Sequence, residues 1–319
     1  MKRRSLALVL AAALVISLAG CSQETEATEG TAAGTQAEQT EATQEATEAA
    51  GGYTAGTYTG TATGMNGEVT VEVVFDDTSI TDITVTNQSE TYGIGQGLDT
   101  TPVEALPEQM LAGQTVNVDS ITGATITSAA IKAAVTDCVE QAGGDASAMP
   151  EYHVESDVEE NMEADVIVVG AGAAGLSAAI TAAEGGANVI VIEKQGVTGG
   201  STARSGGKIL AAGTEWQEKQ DQEDNADLMY EYLMSFSNGL IDEDLLRMFC
   251  DDSAENLTWL ENLGVQVQDV EPIHSSLTPW RVHNTMGGGG QTSGHGGQIT
   301  VPLTKTAQEL GVNIVYNTS

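Results

Sequence analysis

The chain has 319 residues, 46 of them acidic and 11 basic, for a net charge of −35. Its length allows two or three domains with real cores. The charge argues against a nucleic-acid partner, whose phosphates need Lys and Arg to release their counterions. Beyond Cys21 the only cysteines are Cys138 and Cys250, and no CxxC or CxxCH occurs. A disulfide framework and attached c-type haem are therefore not expected. Nor is a structural zinc or other metal site, because the two cysteines and four histidines are scattered.

Lys2, Arg3 and Arg4 precede an apolar run of 14 residues, Leu6 to Ala19. A helix needs about 20 residues to span a bilayer, so the run suits a signal-peptide core. It closes on Leu18-Ala19-Gly20-Cys21, which resembles the lipobox of bacterial lipoproteins. The resemblance implies that Cys21 is lipidated and becomes the new N-terminus; an ordinary signal with an unrelated cysteine is the alternative. Residues 22–52 are rich in Glu, Thr, Ala, Gly and Gln, with no Lys, Arg or large apolar residue. Such a segment cannot offset its ordering entropy. It reads as a disordered acidic linker that lifts the folded part off the membrane.

From Tyr53 the composition changes. Val69, Val71, Val73 and Phe75 alternate with polar residues, as in a strand. Asp76-Asp77-Thr78-Ser79 supplies a turn, and Ile83 and Val85 alternate again, which predicts a hairpin. Near Ser128 the period changes. Ile131, Val135, Cys138 and Ala142 form one helical stripe that ends at Gly143-Gly144. Residues 53–144 are read as a small α+β domain, and the polar residues 145–162 as a linker.

Residues 163–319 begin an α/β pattern. Val166 to Val169 reads as a buried strand, Leu176, Ile180 and Ala183 as a helix, and Val189 to Ile192 as a second strand. This is a βαβ unit. Further helices are expected from Asp224 to Phe236 and from an Asp242 cap through Leu245, Met248 and Phe249. Val312 to Tyr316 is a further strand.

Within the first domain, Asp119-Ser120-Ile121-Thr122-Gly123-Ala124-Thr125 stands just before the predicted helix. Gly123 and Ala124 remove bulk beside Thr125, and a helix start has free N–H groups that suit a phosphate. A phosphate ester on Thr125 fits this chemistry; so does a Thr-rich helix start that caps its own backbone. The stretch resembles the flavinylation motif of FMN-binding domains, as do Gly56 to Gly60, Leu106 to Leu111 and Thr127-Ser128 around it. The resemblance implies covalent FMN on Thr125, attached by a flavin transferase.

In the second domain, Gly170-Ala171-Gly172-Ala173-Ala174-Gly175 fits G-x-G-x-x-G between a strand and a helix, with Glu193 at the end of the next strand, 23 residues after Gly170. The glycines let the backbone approach a pyrophosphate, and Glu193 suits ribose hydroxyls. A carboxylate there disfavours the 2′-phosphate of NADP. Thr198 to Gly207 forms a second Gly-rich segment, which nicotinamide does not need. It resembles the flavin-contacting segment of the fumarate reductase and succinate dehydrogenase flavoproteins. Carried over residue by residue, Ala174, Glu193, Lys194, Ser201, Thr202, Ser205, Gly206 and Gly207 become FAD contacts, beside Gly170, Gly172 and Gly175 of the glycine pattern and Gly200 of the second segment. Ser201 stands where several relatives have Asn. Trp259 to Val265, Gly287 to Gly290, Thr292 to Gly294, and Leu303, Ala307 and Gly311 to Ile314 resemble the same family's pattern.

Arg281 and His283 precede the Gly287 run and are read as a loop held by its own polar contacts rather than as catalytic groups. His153, His274 and His295 have no nameable partner. The family's carboxylate-binding and proton-delivering residues match no position in this sequence, so catalytic residues are unknown and are expected beyond residue 319, with the chain as an N-terminal part. What the resemblances imply is a Rossmann-like FAD domain behind an α+β FMN domain, in an exported, lipid-anchored reductase of fumarate- or urocanate-like enoates. Electrons would come from a membrane donor and pass from FMN to FAD to a C=C bond. An electron carrier without catalysis and a 3-ketosteroid-type dehydrogenase are the alternatives.

Overall fold

Alternating side chains fix the first sheet. The computed structural model describes residues 52–154, 161–273, 279–286 and 296–318. The leader, Cys21, nearly all of the acidic linker, His274, His295 and the Gly287–Gly290 and Thr292–Gly294 segments lie outside them. Strands β1 (Gly56–Thr63), β2 (Glu68–Phe75) and β3 (Ile80–Asn87) form an antiparallel sheet in that order. Val69, Val71, Val73 and Phe75 all point to the buried face. Asp76 ties the β2–β3 turn by accepting the N–H groups of Thr78 at 2.8 Å and Ser79 at 2.6 Å. Those bonds hold its carboxyl below the usual carboxylate range.

Helices α1 (Pro102–Gly113) and α2 (Thr125–Gln141) cover this sheet. Ile131, Val135, Cys138 and Ala142 are buried, as their spacing predicts. Burial pushes the Cys138 thiol up to about 11. Two features were not foreseen. β1 is a full strand although its sequence shows no apolar alternation, and α1 carries Pro107 inside it. A Cβ on Gly60 would lie 2.0 Å from the Ala134 carbonyl oxygen, so β1 and α2 approach as backbones.

The linker assigned to residues 145–162 is shorter than the sequence suggests. Asp145 caps a short 3-10 turn, Ala146–Ala148, and Ala146 is buried in the first core. Tyr152 donates its N–H to Asn117 O at 3.0 Å, and Thr115 Oγ1 donates to Pro150 O at 2.7 Å. These bonds fasten residues 145–152 to the first domain.

In the second domain, β4 (Val166–Val169), α3 (Ala173–Glu184) and β5 (Val189–Ile192) make the expected parallel unit. The chain continues through α4 (Gly200–Ala203), β6 (Lys208–Leu210), α5 (Glu215–Glu218), α6 (Ala226–Phe236), α7 (Glu243–Asn262), β7 (Val267–Glu271), β8 (Val282–Thr285), α8 (Gly297–Glu309) and β9 (Asn313–Val315). Asp242 caps α7 by accepting the Leu245 N–H at 3.0 Å. β9 joins β5, which gives a parallel sheet in the order β4-β5-β9. β4 is not the fully buried strand expected. Val166 and Val168 pack toward α3, whereas Ile167 and Val169 are 59% and 84% exposed. β4 is an edge strand here, covered on one face only.

A second sheet, β6-β8-β7, is antiparallel. It corrects the reading of Arg281 and His283 as loop residues. His283 lies within β8 and Arg281 directly before it, and both are buried. Both are nevertheless held by polar contacts, as that reading expected. The Arg281 guanidinium donates through Nε to Asp224 Oδ2 at 2.6 Å and through Nη2 to Oδ1 at 2.7 Å. Gln217 Nε2 donates to the same carboxylate at 2.9 Å.

Candidate functional site: two facing nucleotide cradles

Thr125 is the first residue of α2, and Ala124 before it offers no side-chain cap. The first N–H groups of the helix are therefore left for another acceptor. The reading in which threonines cap their own helix does not hold. The preceding loop is tightly set: Gly123 takes φ +96°, open to glycine, and Ser128 Oγ accepts the Ile121 N–H at 3.1 Å while donating to Ala124 O at 3.0 Å. Thr125 is exposed and opens into a cavity of about 590 Å³, walled by Met65, Thr91, Gly95 and, from the second domain, Arg204. That room and an uncapped helix start suit a flavin joined through its phosphate.

Glu90 is a site residue that sequence reasoning missed. Its carboxylate is fully buried behind this cavity. It accepts the N–H groups of Met65 at 3.2 Å and Asn66 at 3.1 Å, and the Thr127 hydroxyl donates to it as well. It thereby fixes the turn after β1 to the second residue beyond Thr125. Nothing in Ser89-Glu90-Thr91 marks such a burial in advance. His153, for which no partner was named, pairs with Asp119, the first residue of the motif, at 2.8 Å. That bond raises its pKa.

The second cradle is built where two Gly-rich segments meet. Gly170 takes φ +97° at the end of β4, and Gly172 stands at the N-cap of α3 without a side-chain cap. A Cβ on Gly175 would lie 1.9 Å from the Gly170 carbonyl oxygen, so helix and strand touch as backbones. Gly199 donates its N–H to Ala171 O at 2.7 Å, which brings the second segment against the first. Lys194, Ser201, Ser205 and Gly206 are exposed around it, Thr202 is half-buried and Gly207 is buried. Ala174 is exposed on the first turn of α3. Glu193 is buried at the end of β5, accepting from Ala171 N at 2.8 Å and Gln195 N at 2.9 Å. An ionised carboxylate has about four acceptor positions, so these bonds leave room for ribose hydroxyls. The pattern fits a dinucleotide pyrophosphate at a helix start.

The cradles face each other. Gly196 donates its N–H to Thr122 O at 3.0 Å, and Arg204 Nη2 donates to Gly123 O at 3.1 Å. A Cβ on Gly297 would lie 2.0 Å from Tyr92 O, so the start of α8 presses on the first domain.

Residues 64–140 match the FMN-binding domain family, and residues 165–319 match the FAD binding domain family. The urocanate reductase of Eggerthella lenta is 35% identical over 266 residues, covering 80% of this chain and 40% of that protein. The NADH:acrylate oxidoreductase of Vibrio harveyi is 39% identical over 171 residues, covering 52% of this chain and 16% of that protein. A fumarate reductase (cytochrome) of Shewanella frigidimarina is 32% identical over 154 residues, covering 48% of this chain and 26% of that protein. The chain thus spans less than half the length of each of these relatives. It carries an FMN-binding domain followed by an FAD binding domain, and it is similar across them to a urocanate reductase and, over about half its length, to a fumarate reductase.

Proposed function

We propose that this protein is an exported flavoenzyme that reduces the C=C bond of α,β-unsaturated carboxylates. In this reading FMN is esterified to Thr125, and FAD lies in a Rossmann-like domain against Gly170, Gly172, Ala174, Gly175, Glu193, Lys194, Gly200, Ser201, Thr202, Ser205, Gly206 and Gly207. The observation that carries it is the facing of the two cradles, with Thr122 and Gly123 of one bonded to Gly196 and Arg204 of the other. The match to a urocanate reductase, which runs over 266 residues, supports the substrate class.

When bound, FAD supplies hydride transfer to an activated carbon, and FMN supplies a relay for its electrons. The chain's own part is positional. Thr125 offers its hydroxyl at a helix start whose N–H groups favour the phosphate. Gly170 and Gly175 let strand and helix close together, which would leave the helix start free for the pyrophosphate, and Glu193 would accept from the ribose hydroxyls. A covalent bond suits an exported protein, which would otherwise lose FMN by diffusion. Cys21 would carry the lipid anchor, a flavin transferase would attach FMN, and a membrane carrier would supply electrons.

The test is anaerobic. The protein, expressed together with any coding sequence that follows residue 319, is loaded with both flavins, reduced, then mixed with urocanate, fumarate and acrylate in turn. Return of flavin absorbance with one of them is expected. Flavin that stays bleached with all three would overturn the reductase reading in favour of an electron carrier.

A further inference from the structure

Arg204 stands between the two cradles and has so far been given no function. It directly follows α4, and its guanidinium donates through Nη1 to Gly200 O at 2.9 Å and through Nη2 to Gly123 O at 3.1 Å. One carbonyl belongs to the Gly-rich segment of the FAD domain. The other lies two residues before Thr125. The same side chain walls the cavity into which Thr125 opens. A planar guanidinium holds its N–H groups in a fixed fork, so one rigid group can bridge two carbonyls. A lysine ammonium is a point charge on a flexible stem and has no such fork. The Gly196–Thr122 bond and the Tyr92–Gly297 contact are main-chain approaches. Arg204 adds a side chain that spans from one domain's loop to the other's.

We propose that Arg204 is a positioning residue, a strut that holds the Thr125 loop against the Gly200 segment and keeps the electron path between the two flavins short. This rests on the reading that FMN sits on Thr125 and FAD on the Gly-rich segments. The strut makes and breaks no covalent bond; it sets the geometry in which electrons leave one flavin and enter the other.

Two measurements on the full chain test it, each comparing wild type with R204K and R204Q. The first is hydrogen exchange of the peptide carrying Gly196, whose N–H crosses the junction, in protein without flavin. Exchange about tenfold faster in R204Q is expected, which corresponds to ~1.4 kcal/mol, with R204K between. The second is stopped-flow passage of electrons from FMN to FAD in the loaded protein, expected to slow in the same order. Unchanged exchange in R204Q overturns the strut, as does unchanged electron passage. Slower passage without faster exchange also overturns it, since charge rather than geometry would then be responsible. If R204Q does not fold, judged by its circular dichroism melt, R204K and R204M carry the same comparison. Wild-type protein without covalent flavin fluorescence in a denaturing gel would sink the Thr125 reading instead, and would leave the exchange result standing.

Discussion

The carbonyl oxygen of Gly170 occupies the space that a side chain on Gly175 would need: a Cβ there would sit 1.9 Å away. Alanine in a helix interior is ordinarily favoured over glycine by ~1 kcal/mol. Here the obstacle is backbone and cannot swing aside. Overpacking costs of about 1–3 kcal/mol exceed the propensity gain, so Gly175→Ala is expected to lower stability in urea unfolding. Fluorescence titration should show weaker FAD binding in the same variant. A variant more stable than wild type, with FAD affinity intact, would show that α3 and β4 do not meet as described.

Thr125→Ala is expected to abolish covalent flavin after coexpression with a flavin transferase, read as ultraviolet fluorescence of the denatured protein in a gel. FAD binding should be unaffected. No side chain caps α2, so the substitution should change stability by no more than ~0.5 kcal/mol. Thr125→Ser should keep the fluorescence, because it keeps a hydroxyl at the helix start. Undiminished fluorescence in Thr125→Ala would remove Thr125 as the attachment point.

Asp224 and Arg281 form a bidentate pair with side-chain exposures of 0% and 3%. Asp224→Asn leaves a guanidinium buried without its countercharge. Breaking such a pair from one side costs ~3–5 kcal/mol, and a loss of that size is expected in urea unfolding. Replacing both members with apolar residues of similar volume should cost much less. Equal losses in the single and double variants would mean that the pair's charge is not what matters.

His283 gives a pH dependence whose sign follows from its surroundings. Burial pushes its pKa down against the opposing pull of its hydrogen bonds. Nδ1 faces Arg281 O at 3.1 Å, so it carries the hydrogen, and Nε2 then accepts from the Thr214 hydroxyl at 2.8 Å. The imidazole is thus built in as the neutral form. Its folded pKa lies below the unfolded value of about 6.5, so the unfolded chain takes the proton first. The stability it contributes is complete above that value and declines as pH falls below it. Urea unfolding at pH 7.5 and 5.5 should show a loss in wild type that shrinks in His283→Gln. An equal loss in both would place the titrating group elsewhere.

These elements differ in how openly the sequence declares them. β2 is legible because one face is buried and the other wet, which forces Val69, Val71, Val73 and Phe75 into alternation. β1 is not, because Gly60 is its single buried residue and the strand is held by pairing with β2 and by the close backbone of α2. The helix from Asp242 was readable from its cap, whereas α1 hides behind Pro107. Both Gly-rich segments were visible, since glycine pattern and strand order are local. Glu90 and Arg204 were not, because their partners lie in other parts of the chain: Asn66 is 24 residues before Glu90, and Gly123 is 81 before Arg204. The buried positions of Arg281 and His283 depend on a sheet whose three strands come from separated segments.

The junction between the flavin domains has a further consequence when considered as a concentration. Between Val154 and Asn161 run six residues, 155–160, at most roughly 25 Å of extended chain. Joined through so few residues, each domain meets the other at an effective concentration on the order of millimolar. Bonds too weak to join separate proteins suffice under that condition. Contacts such as the Gly196 N–H, the forked Arg204 guanidinium and the close approach of Gly297 to Tyr92 can then keep the cradles together.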